Sequence, residues 1–290
     1  MKKVLVTGCS GYIGQHLCAW LKGNDYEVWG MDMKFPSDTA SKYIDEYRHA
    51  DIRSENDLIA GSWKDIEFDA VVHLAALVQV GESVNNPTSY YETNVQGTIN
   101  LLRQLSYKNF VFASTGAAST LPFSPYSLSK LAAEQCVRES LYDTPYTIFR
   151  FYNVIGSAGF EPTNPDGLFY NLRKAEKTGT FNLYGDDYNT PDGSAIRDYV
   201  HVIEICYALE LAIRKPSCVP GADIQPFVEN LGHGKGYSVK EIIAAYKEKN
   251  NAHFNVVVQP RRDGDLEKSV LSDVSPYMTQ LYLLNELVKT

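Results

Sequence analysis

The chain has 290 residues, 44% of them hydrophobic, and a formal net charge of -8 at pH 7. This apolar content supports a buried core and excludes a disordered chain, and the length suits one large domain or a large domain with a smaller one. The negative charge argues against general binding of nucleic acids or of anionic membrane surfaces, but a local cluster of cations could still hold a phosphorylated small ligand.

The cysteines are scattered and show no C-x-x-C spacing; they are Cys9, Cys18, Cys136, Cys206 and Cys218. An odd number without paired spacing indicates reduced thiols and a cytoplasmic protein. No stretch approaches the ~20 apolar residues of a membrane span. No residue spacing indicates a metal site. We therefore expect a soluble protein without membrane, nucleic-acid or metal partners.

The first predicted element is a strand that runs into a glycine-rich turn. Lys3–Thr7 is a β-branched run without polar alternation, typical of a strand buried on both faces. Gly8, Gly11 and Gly14 follow at three-residue spacing, one residue longer than the usual dinucleotide fingerprint, and a helical pattern begins there. Such a turn lets the backbone approach a pyrophosphate at the helix N-terminus. An ordinary tight turn is the alternative, but the flanking strand and helix favour a dinucleotide site.

A carboxylate stands at the end of the second predicted strand. The strand Glu27–Met31 leads into Asp32, eighteen residues after Gly14. A carboxylate there accepts hydrogen bonds from an adenosine ribose and repels a 2′-phosphate, so NAD is favoured over NADP. The alternative is a residue that caps the loop. After a third predicted strand, Asp51 and Ile52 could flank the adenine, one polar and one apolar.

Strands and helices continue to alternate. Asp69–Ala76 and Asn109–Ala113 predict the fourth and fifth strands, and a helix is predicted over 87–105. This order indicates an α/β fold with a doubly wound parallel sheet, whose ligands bind beyond the carboxyl ends of the strands. His73 is expected to be a packed strand residue. Asn94, inside the predicted helix, is either a surface residue or a hydrogen-bonding partner of loops near the cofactor.

Tyr126 and Lys130 lie four residues apart at the start of another predicted helix. That spacing places both side chains on one face of the helix. An ammonium beside a phenol favours the phenolate and should lower the pKa of Tyr126 from its usual ~10. The tyrosine could then act as a base near neutral pH, although this spacing alone is common in helices.

A more specific pattern extends from residue 4 to about 270. It consists of the stretches VTGCSGYIGQHL, DAVVHLAALVQVGES, YYETNVQGTINLL, KNFVFAST, PYSLSK, FRFYNVIGS, LYGDDYNTPDGSAIRDYVHV, NLGHGKGYS and RRDGDLEKS. Through them the chain resembles the extended short-chain dehydrogenases/reductases and, among these, the UDP-galactose 4-epimerases. The resemblance implies a Rossmann sheet with a smaller C-terminal substrate-binding domain.

The resemblance also implies a catalytic set of Thr115, Tyr126 and Lys130. Thr115 would hydrogen-bond the 4-hydroxyl of a UDP-sugar, and Tyr126 would take its proton. Lys130 would hold the nicotinamide ribose and favour the phenolate. Hydride would pass from sugar carbon 4 to NAD and return to the other face of a rotated 4-keto intermediate. The chain would thus be an isomerase without net redox change.

Ligand contacts follow from the same resemblance. The residues expected to contact NAD are Gly8, Gly11, Tyr12, Ile13, Gly14, Asp32, Asp51, Ile52, Leu74, Ala75, Ala76, Asn94, Ser114, Tyr126, Lys130 and Tyr152. The residues expected to contact the UDP-sugar are Thr115, Asn153, Tyr184, Arg197, Arg262, Asp265 and Ser269.

Among the residues expected to contact the sugar nucleotide, each has an implied role. Asn153 would contact the diphosphate, and Arg197 and Arg262 would bind phosphate oxygens through paired donors. Asp265 would bind the nucleotide ribose, and Tyr184 would pack beside the uracil. Taken singly, either arginine could instead be a solvated surface charge.

The regular alternation weakens after Phe151, where prolines interrupt the segments. We expect an NAD-binding Rossmann domain over residues 1–152 and a sugar-nucleotide-binding domain over residues 153–290, interleaved with late Rossmann elements. The resemblance further implies a homodimer that packs through helices near 87–105 and 126–141.

Two departures from the resembled family are visible. Only ten residues separate Thr115 from Tyr126, which predicts a substrate pocket more open on one side and leaves Ser114 as an alternative to Thr115. Ser269 stands where many members carry a large tyrosine beside the sugar. The smaller side chain predicts room at the sugar 2-position, so that N-acetylated sugars are accepted along with plain hexoses.

Two other functions fit parts of the pattern. A nucleotide-sugar 4,6-dehydratase or decarboxylase of the same superfamily has acidic residues directly after the catalytic threonine or serine, where this chain has Gly116 and Ala117. A non-catalytic NAD-binding sensor would need neither the catalytic set nor the phosphate arginines. We therefore favour epimerisation, in which the product keeps the mass of the substrate.

Overall fold

The computed structural model describes residues 1–59, 63, 65–119, 123–221, 228–262, 265–272, 274–278 and 284–289. Its strands are β1 (Lys3–Thr7), β2 (Glu27–Asp32), β3 (Glu46–His49), β4 (Glu67–Phe68), β5 (Ala70–His73), β6 (Ser106–Tyr107), β7 (Phe110–Thr115), β8 (Tyr146–Phe151), β9 (Asn153–Ile155), β10 (Thr180–Tyr184), β11 (Ile196–His201), β12 (Glu229–Leu231), β13 (Gly236–Ser238), β14 (Asn255–Gln259) and β15 (Lys268–Ser269).

The helices of the described residues connect these strands. They are α1 (Tyr12–Gly23), α2 (Asp38–Ser41), α3 (Glu55–Ile59), α4 (Val80–Asn85), α5 (Pro87–Tyr91), α6 (Gly97–Gln104), α7 (Pro125–Ser140), α8 (Leu168–Thr178), α9 (Val202–Arg214), α10 (Val239–Asn250) and α11 (Leu284–Leu287), with a π-helical turn over Glu92–Gln96 and a 3-10 turn over Gly116–Ser119.

The chain divides into two compact units. The first comprises residues 1–150 and 206–229, and the second comprises residues 151–205 and 230–290. The two units are therefore interleaved along the sequence. The assignment of NAD to residues 1–152 and of the sugar nucleotide to residues 153–290 remains a proposal.

The central sheet has the strand order β12-β8-β7-β5-β1-β2-β3. Strand β1 pairs in parallel with both β2 and β5. The chain proceeds outward in opposite directions on the two sides of β1, so the carboxyl ends of β1 and β5 form a topological switch point, where ligands of such sheets bind. The fold is an α/β fold with a doubly wound parallel sheet of the Rossmann type, as predicted.

Helices cover both faces of this sheet. Leu5 of β1 packs with Leu101 of α6 and Val137 of α7 in one buried cluster. Neighbouring residues of a strand point to opposite faces, and on the other side α1 lies beside α9, where Trp20 donates a hydrogen bond to Glu210 at 2.8 Å. Fully burying an aliphatic side chain such as that of Leu5 stabilises the fold by roughly 2 kcal/mol.

The second unit is built around β11. This strand pairs with β13 in antiparallel fashion and with β15 and β9 in parallel, while β10 and β14 form a separate parallel pair. Phe169 of α8, Tyr199 of β11 and Tyr246 of α10 lie in one buried cluster. This is a smaller C-terminal unit with its own core.

Two predicted elements differ from the structure. The strand predicted as the fourth is β5 in the structure, and it ends at His73 rather than Ala76. The chain turns there because its backbone meets Gly8; a Cβ on Gly8 would lie 2.7 Å from the Ala75 nitrogen. The helix predicted over 87–105 is interrupted by the π-helical turn that contains Asn94. Within the described ranges, no helix combines the length and the apolar character needed to cross a membrane.

Candidate active site

The glycine-rich turn connects β1 to α1 at the switch point. Gly8 has φ +72°, and a Cβ on Gly14 would lie 2.1 Å from the Gly8 carbonyl oxygen, so both positions require glycine. A Cβ on Gly11 would approach only that same oxygen among the described residues. Gly11 is the N-cap of α1 and offers no side-chain cap, and the first turn holds no acidic residue. A side chain at Gly11 would thus fill the open space at the N-terminus of α1, which we call the cradle at Gly11. A pyrophosphate fits such a space.

Asp32 lies beside this turn at the end of β2. Its Oδ2 accepts a hydrogen bond from the Ser10 amide at 3.0 Å, and its Oδ1 accepts one from the Lys34 amide at 2.9 Å. These bonds fix the carboxylate while each oxygen keeps a second lone pair. Asp32 therefore caps its loop and can also accept hydroxyl donors of a ribose.

The structure places the two residues predicted to flank the adenine in different surroundings. Asp51 forms an ion pair with Arg53 at 2.6 Å, and the hydrogen bonds from Arg53 lower the pKa of that carboxyl. Ile52 is buried in the core next to Gly97. Asp51 is thus engaged by a neighbour, whereas Ile52 supports the helix that follows the π-helical turn.

Asn94 is buried and ties the loop at Leu77 to α7. Its side chain accepts from the Leu77 amide at 2.9 Å, and its amide donates to the Leu77 carbonyl at 3.0 Å and to Ser129 Oγ at 2.9 Å. It is therefore not a surface residue. These bonds hold the segment that follows Leu74, Ala75 and Ala76, close to the turn at Gly8.

Thr115, Tyr126 and Lys130 all belong to the first unit. Tyr126 lies in the first turn of α7, and Lys130 follows one turn later on the same helix. Thr115 is the last residue of β7, and its side chain lies near enough to the phenol of Tyr126 to favour the phenolate. The Ser114 hydroxyl instead donates to the Glu134 carboxylate. Of the two candidate hydroxyls, it is Thr115 that meets Tyr126.

Lys130 is almost fully buried. Its Nζ lies 4.2 Å from the centroid of the Phe112 ring, within range of a cation–π interaction. Burial lowers the pKa of Lys130 to about 7, and the negative charge of Glu134 acts in the opposite direction. The ammonium is thus only partly retained near neutral pH.

The expected direction of the pKa shift of Tyr126 was wrong. Burial raises the pKa of this phenol, and the hydrogen bond with Thr115 opposes that rise. Removing a phenolate from water disfavours the charged form, and in this structure that effect exceeds the stabilisation by neighbouring groups. Tyr126 is therefore protonated at neutral pH in this structure.

A charged group with an aromatic neighbour lies in the second unit. The Asp265 carboxylate pairs with Arg197 at 3.1 Å and with Arg262 at 2.9 Å. The Arg262 guanidinium lies 5.1 Å from the ring centroid of Tyr184, which is 41% exposed. Two cations share one carboxylate, so the group has a net positive formal charge that suits phosphate oxygens. Asp263 and Gly264, which lie within the predicted motif, fall outside the described residues.

The other residues predicted to contact the sugar nucleotide lie on or beside β11. Ser269 of β15 is the register partner of Arg197. Asn153 of β9 pairs with Tyr199, and its amide donates to the Asp198 carbonyl at 3.1 Å. Tyr152, which was predicted to contact NAD, is half-buried between β8 and β9. The structure thus brings Asn153, Arg197 and Ser269 to neighbouring positions around one strand.

Part of the short loop before α7 is described. Residues 116–119 form the 3-10 turn, whereas residues 120–122 lie outside the described residues. The predicted opening of the pocket by this loop therefore stays a prediction. In the ranges that the structure covers, no group of three or more His, Cys, Asp or Glu side chains could hold a metal ion.

Comparison with known proteins adds the family. Residues 4–225 match the NAD dependent epimerase/dehydratase family. The chain belongs to this family.

Among the relatives of this NAD dependent epimerase/dehydratase are UDP-glucose 4-epimerases. That of Halalkalibacterium halodurans is 34% identical over 296 aligned positions, which cover 90% of this chain and 84% of the relative. That of Yersinia pestis is 33% identical over 299 aligned positions, which cover 91% of this chain and 87% of the relative.

Solved structures that resemble this chain are also those of UDP-sugar 4-epimerases. The UDP-glucose 4-epimerase of Bifidobacterium longum, in complex with NAD+ and UDP, superposes with a TM-score of 0.84 at 28% identity and covers 99% of this chain and 96% of its own. The UDP-Glc/GlcNAc 4-epimerase of Campylobacter jejuni has a TM-score of 0.77 at 27% identity, and the superposition covers 99% of this chain and 97% of that epimerase.

Sequence reasoning missed the polar residues behind the candidate catalytic set of this epimerase/dehydratase family member. The buried Glu134 forms an ion pair with the half-buried Arg150 at 2.6 Å, and Tyr90 packs edge-on to Tyr126 at 6.3 Å between ring centroids. Glu134 continues the four-residue spacing of Tyr126 and Lys130, which is a signal readable in the sequence. The contact of Arg150 with Glu134 and that of Tyr90 with Tyr126 depend on tertiary packing.

Proposed function

We propose that this chain is an NAD-dependent UDP-glucose 4-epimerase, an isomerase that interconverts UDP-glucose and UDP-galactose. The contact between Thr115 and Tyr126, with Lys130 one helical turn away, carries the proposal. The two UDP-glucose 4-epimerase relatives, each covered over more than four fifths of its length, support it.

The glycine turn, Asp32 and the end of β5 would hold NAD at the switch point of the sheet. The cradle at Gly11 fits the pyrophosphate, and Asp32 fits the adenosine ribose. When bound, NAD would supply a hydride acceptor and donor for carbon 4 of the sugar, with no net redox change.

The protein's own part in the reaction is proton transfer. Tyr126 would take the proton of the sugar 4-hydroxyl and return it, while the Thr115 hydroxyl orients that oxygen by a hydrogen bond. Since burial raises the pKa of Tyr126, the phenolate needs positive charge nearby. A protonated Lys130, buried one turn further along α7, would supply such a charge.

The second unit would hold the UDP group. Arg197 and Arg262 would bind phosphate oxygens, Asp265 the ribose and Tyr184 the uracil, with Asn153 at the diphosphate. The net positive charge of the arginine–aspartate group and the exposed ring of Tyr184 support these roles. No observation favours a dehydratase, because Gly116 and Ala117 carry no acid or base.

We also propose that N-acetylated UDP-sugars are substrates. Ser269 has a small side chain next to Arg197 in the sheet register. The similarity to the UDP-Glc/GlcNAc 4-epimerase of Campylobacter jejuni supports this breadth. Turnover of UDP-glucose together with no detectable turnover of UDP-N-acetylglucosamine would refute it.

The protein is further proposed to act as a cytoplasmic homodimer that packs through helices near 87–105 and 126–141. The five free cysteines are consistent with a reducing compartment. Leu128 of α7 is 39% exposed, so Leu128→Asp should halve the mass measured by sedimentation if α7 lies in the interface. An unaltered protein that sediments as a monomer would refute the dimer.

The decisive experiment separates the epimers formed from UDP-glucose and UDP-galactose by the purified protein. We expect each substrate to yield the other without a change of mass. Tyr126→Phe should abolish turnover while NAD stays bound, and Tyr142→Phe, at an exposed position beyond α7, should leave it unchanged. Loss of water or carbon dioxide from the substrate would exclude epimerisation, and full turnover by Tyr126→Phe would exclude the mechanism.

A further inference from the structure

The face of α7 that carries Tyr126 and Lys130 continues to Glu134, four residues further along. This side chain is buried, with 3% of it exposed. A carboxylate is rarely buried without partners, because transfer of a charge out of water is strongly unfavourable. Its partners therefore indicate what the charge does.

Glu134 joins three elements of the first unit. Its Oε1 accepts from Arg150 Nε of β8 at 2.9 Å, and its Oε2 accepts from Arg150 Nη2 at 2.6 Å. The Ser114 hydroxyl, at the end of β7, donates to the same carboxylate. Ser114 precedes Thr115 directly, so this carboxylate ties the strand end that presents Thr115 to the helix that presents Tyr126.

The charges in this cluster follow from these bonds. The two-pronged contact with Arg150 requires an ionised carboxylate. With Lys130 protonated, the buried Lys130 and Glu134 and the half-buried Arg150 carry formal charges of +1, -1 and +1. The negative charge of Glu134 acts on Lys130 and opposes the loss of its proton.

We propose that Glu134 is a positioning residue of the reaction, which supplies the counter-charge of the Lys130 ammonium and fixes Thr115 against Tyr126. The proposal rests on the proposed epimerase function. Glu134 does not contact the reacting atoms but acts through Lys130, Ser114 and Arg150. In its absence, the ammonium that favours the Tyr126 phenolate would be lost at a lower pH.

Other charged or titratable groups also face Lys130. Tyr126 and Glu134 lie on its own helix, and His73 faces it from β5, where burial lowers the pKa of the imidazole well below its usual value and the charge of Lys130 lowers it further. Phe112 of β7 contributes only its ring face. His73 is therefore neutral at the pH values of interest, and the negative charge of Glu134 stabilises the ammonium.

The test follows Lys130 directly. In protein labelled with [ε-13C]lysine, the Lys130 signal is assigned by its absence in Lys130→Arg and titrated with pH. We expect Glu134→Gln, which keeps the shape of the side chain but removes its charge, to lower the pKa of Lys130 by about one to three units. Glu139→Gln, at an exposed position of the same helix, should not change it.

A second variant separates electrostatics from general damage to the fold. Arg150→Gln removes the cation beside Glu134, so the pKa of Lys130 should rise, opposite to the effect of Glu134→Gln. Both variants should lower the melting temperature. If the pKa of Lys130 is the same in Glu134→Gln as in Glu139→Gln, the counter-charge role is refuted and Glu134 is purely structural.

Kinetics complete the test. At pH 8, kcat of Glu134→Gln should fall about tenfold for each unit by which the pKa of Lys130 falls, with the NAD content unchanged, and Glu134→Asp should restore part of it. Equal kcat values in Glu134→Gln and the unaltered protein would refute the proposal. If the unaltered protein does not epimerise UDP-sugars, the proposed function fails, whereas the lysine titration still decides the role of Glu134.

Discussion

Gly8 sits at the point where β1 meets the helix that follows, with φ +72°. A Cβ there would lie 2.7 Å from the Ala75 nitrogen and 2.9 Å from its Cα. Positive φ is strained for any residue with a side chain, and backbone atoms cannot move aside as the end of a flexible side chain can.

We therefore expect Gly8→Ala to lower the free energy of unfolding by about 1–3 kcal/mol and to weaken NAD binding. The matched control is Gly23→Ala at the end of α1, where an added Cβ meets nothing within 4 Å. Urea unfolding and titration with NAD measure both effects. Equal stability and affinity in the two variants would contradict the role given to the turn.

At the scale of one element, the start of α7 decides where Tyr126 lies. The Ser127 amide donates to Ser124 Oγ at 3.1 Å, and the Ser124 amide donates to Ser127 Oγ at 2.8 Å. This reciprocal pair is a capping box, and Pro125 occupies the first turn, where its missing N–H is tolerated. The cap holds the turn that contains Tyr126.

Ser124→Ala should lower the free energy of unfolding by about 1 kcal/mol and should reduce kcat, because fraying of the first turn moves Tyr126 away from Thr115. Ser140→Ala, at the exposed other end of the same helix, provides the control and should affect neither. Thermal unfolding and epimerisation rates are the measurements. An unchanged kcat in a destabilised Ser124→Ala protein would show that the cap does not position Tyr126.

The helix predicted over 87–105 shows what sequence periodicity omits at this scale. Its apolar spacing predicts one continuous helix, yet the structure contains a π-helical turn at Glu92–Gln96. Asn94, inside that turn, bonds to Leu77 and Ser129. Those partners lie 17 and 35 residues from Asn94, so local pattern could not specify the turn.

At the scale of the whole molecule, the buried Lys130 should make stability depend on pH. Its pKa is about 7 in the folded protein, against ~10.4 in an unfolded chain. Between these two pH values the unfolded chain binds more protons, so the free energy of unfolding rises with pH in this window. Below pH 7 both states hold the proton, and the full penalty for burying the ammonium persists.

Lys130→Met should therefore be more stable than the unaltered protein at pH 7, and this advantage should shrink by roughly 2 kcal/mol by pH 9. Trp20, Trp29 and Trp63 all belong to the first unit, so tryptophan fluorescence in urea reports on the unit that holds Lys130. Lys42→Met, at an exposed position of that unit, should show a difference independent of pH. The same pH independence in Lys130→Met would contradict the pKa assigned to Lys130.

Much of the fold and several parts of the site were readable from the sequence. The β-branched run of β1, the three glycines and the spacing of Tyr126 and Lys130 are local patterns, and the structure has a strand, a turn and a shared helix face at those places. The Rossmann class follows from the order of such elements. The resemblance to the family also depends only on motifs and their order, and the family comparison confirms it.

Other features were decided only by tertiary structure. The sequence predicted a lowered pKa for Tyr126, whereas burial raises it, because desolvation depends on every element packed around the phenol. Asp265 shares its carboxylate with Arg197, 68 residues away, and Glu134 meets Arg150 across two elements. Local sequence determines the conformations of short segments and the spacing of side chains on them. The charge and the protonation of a site depend on groups that only the folded chain brings together.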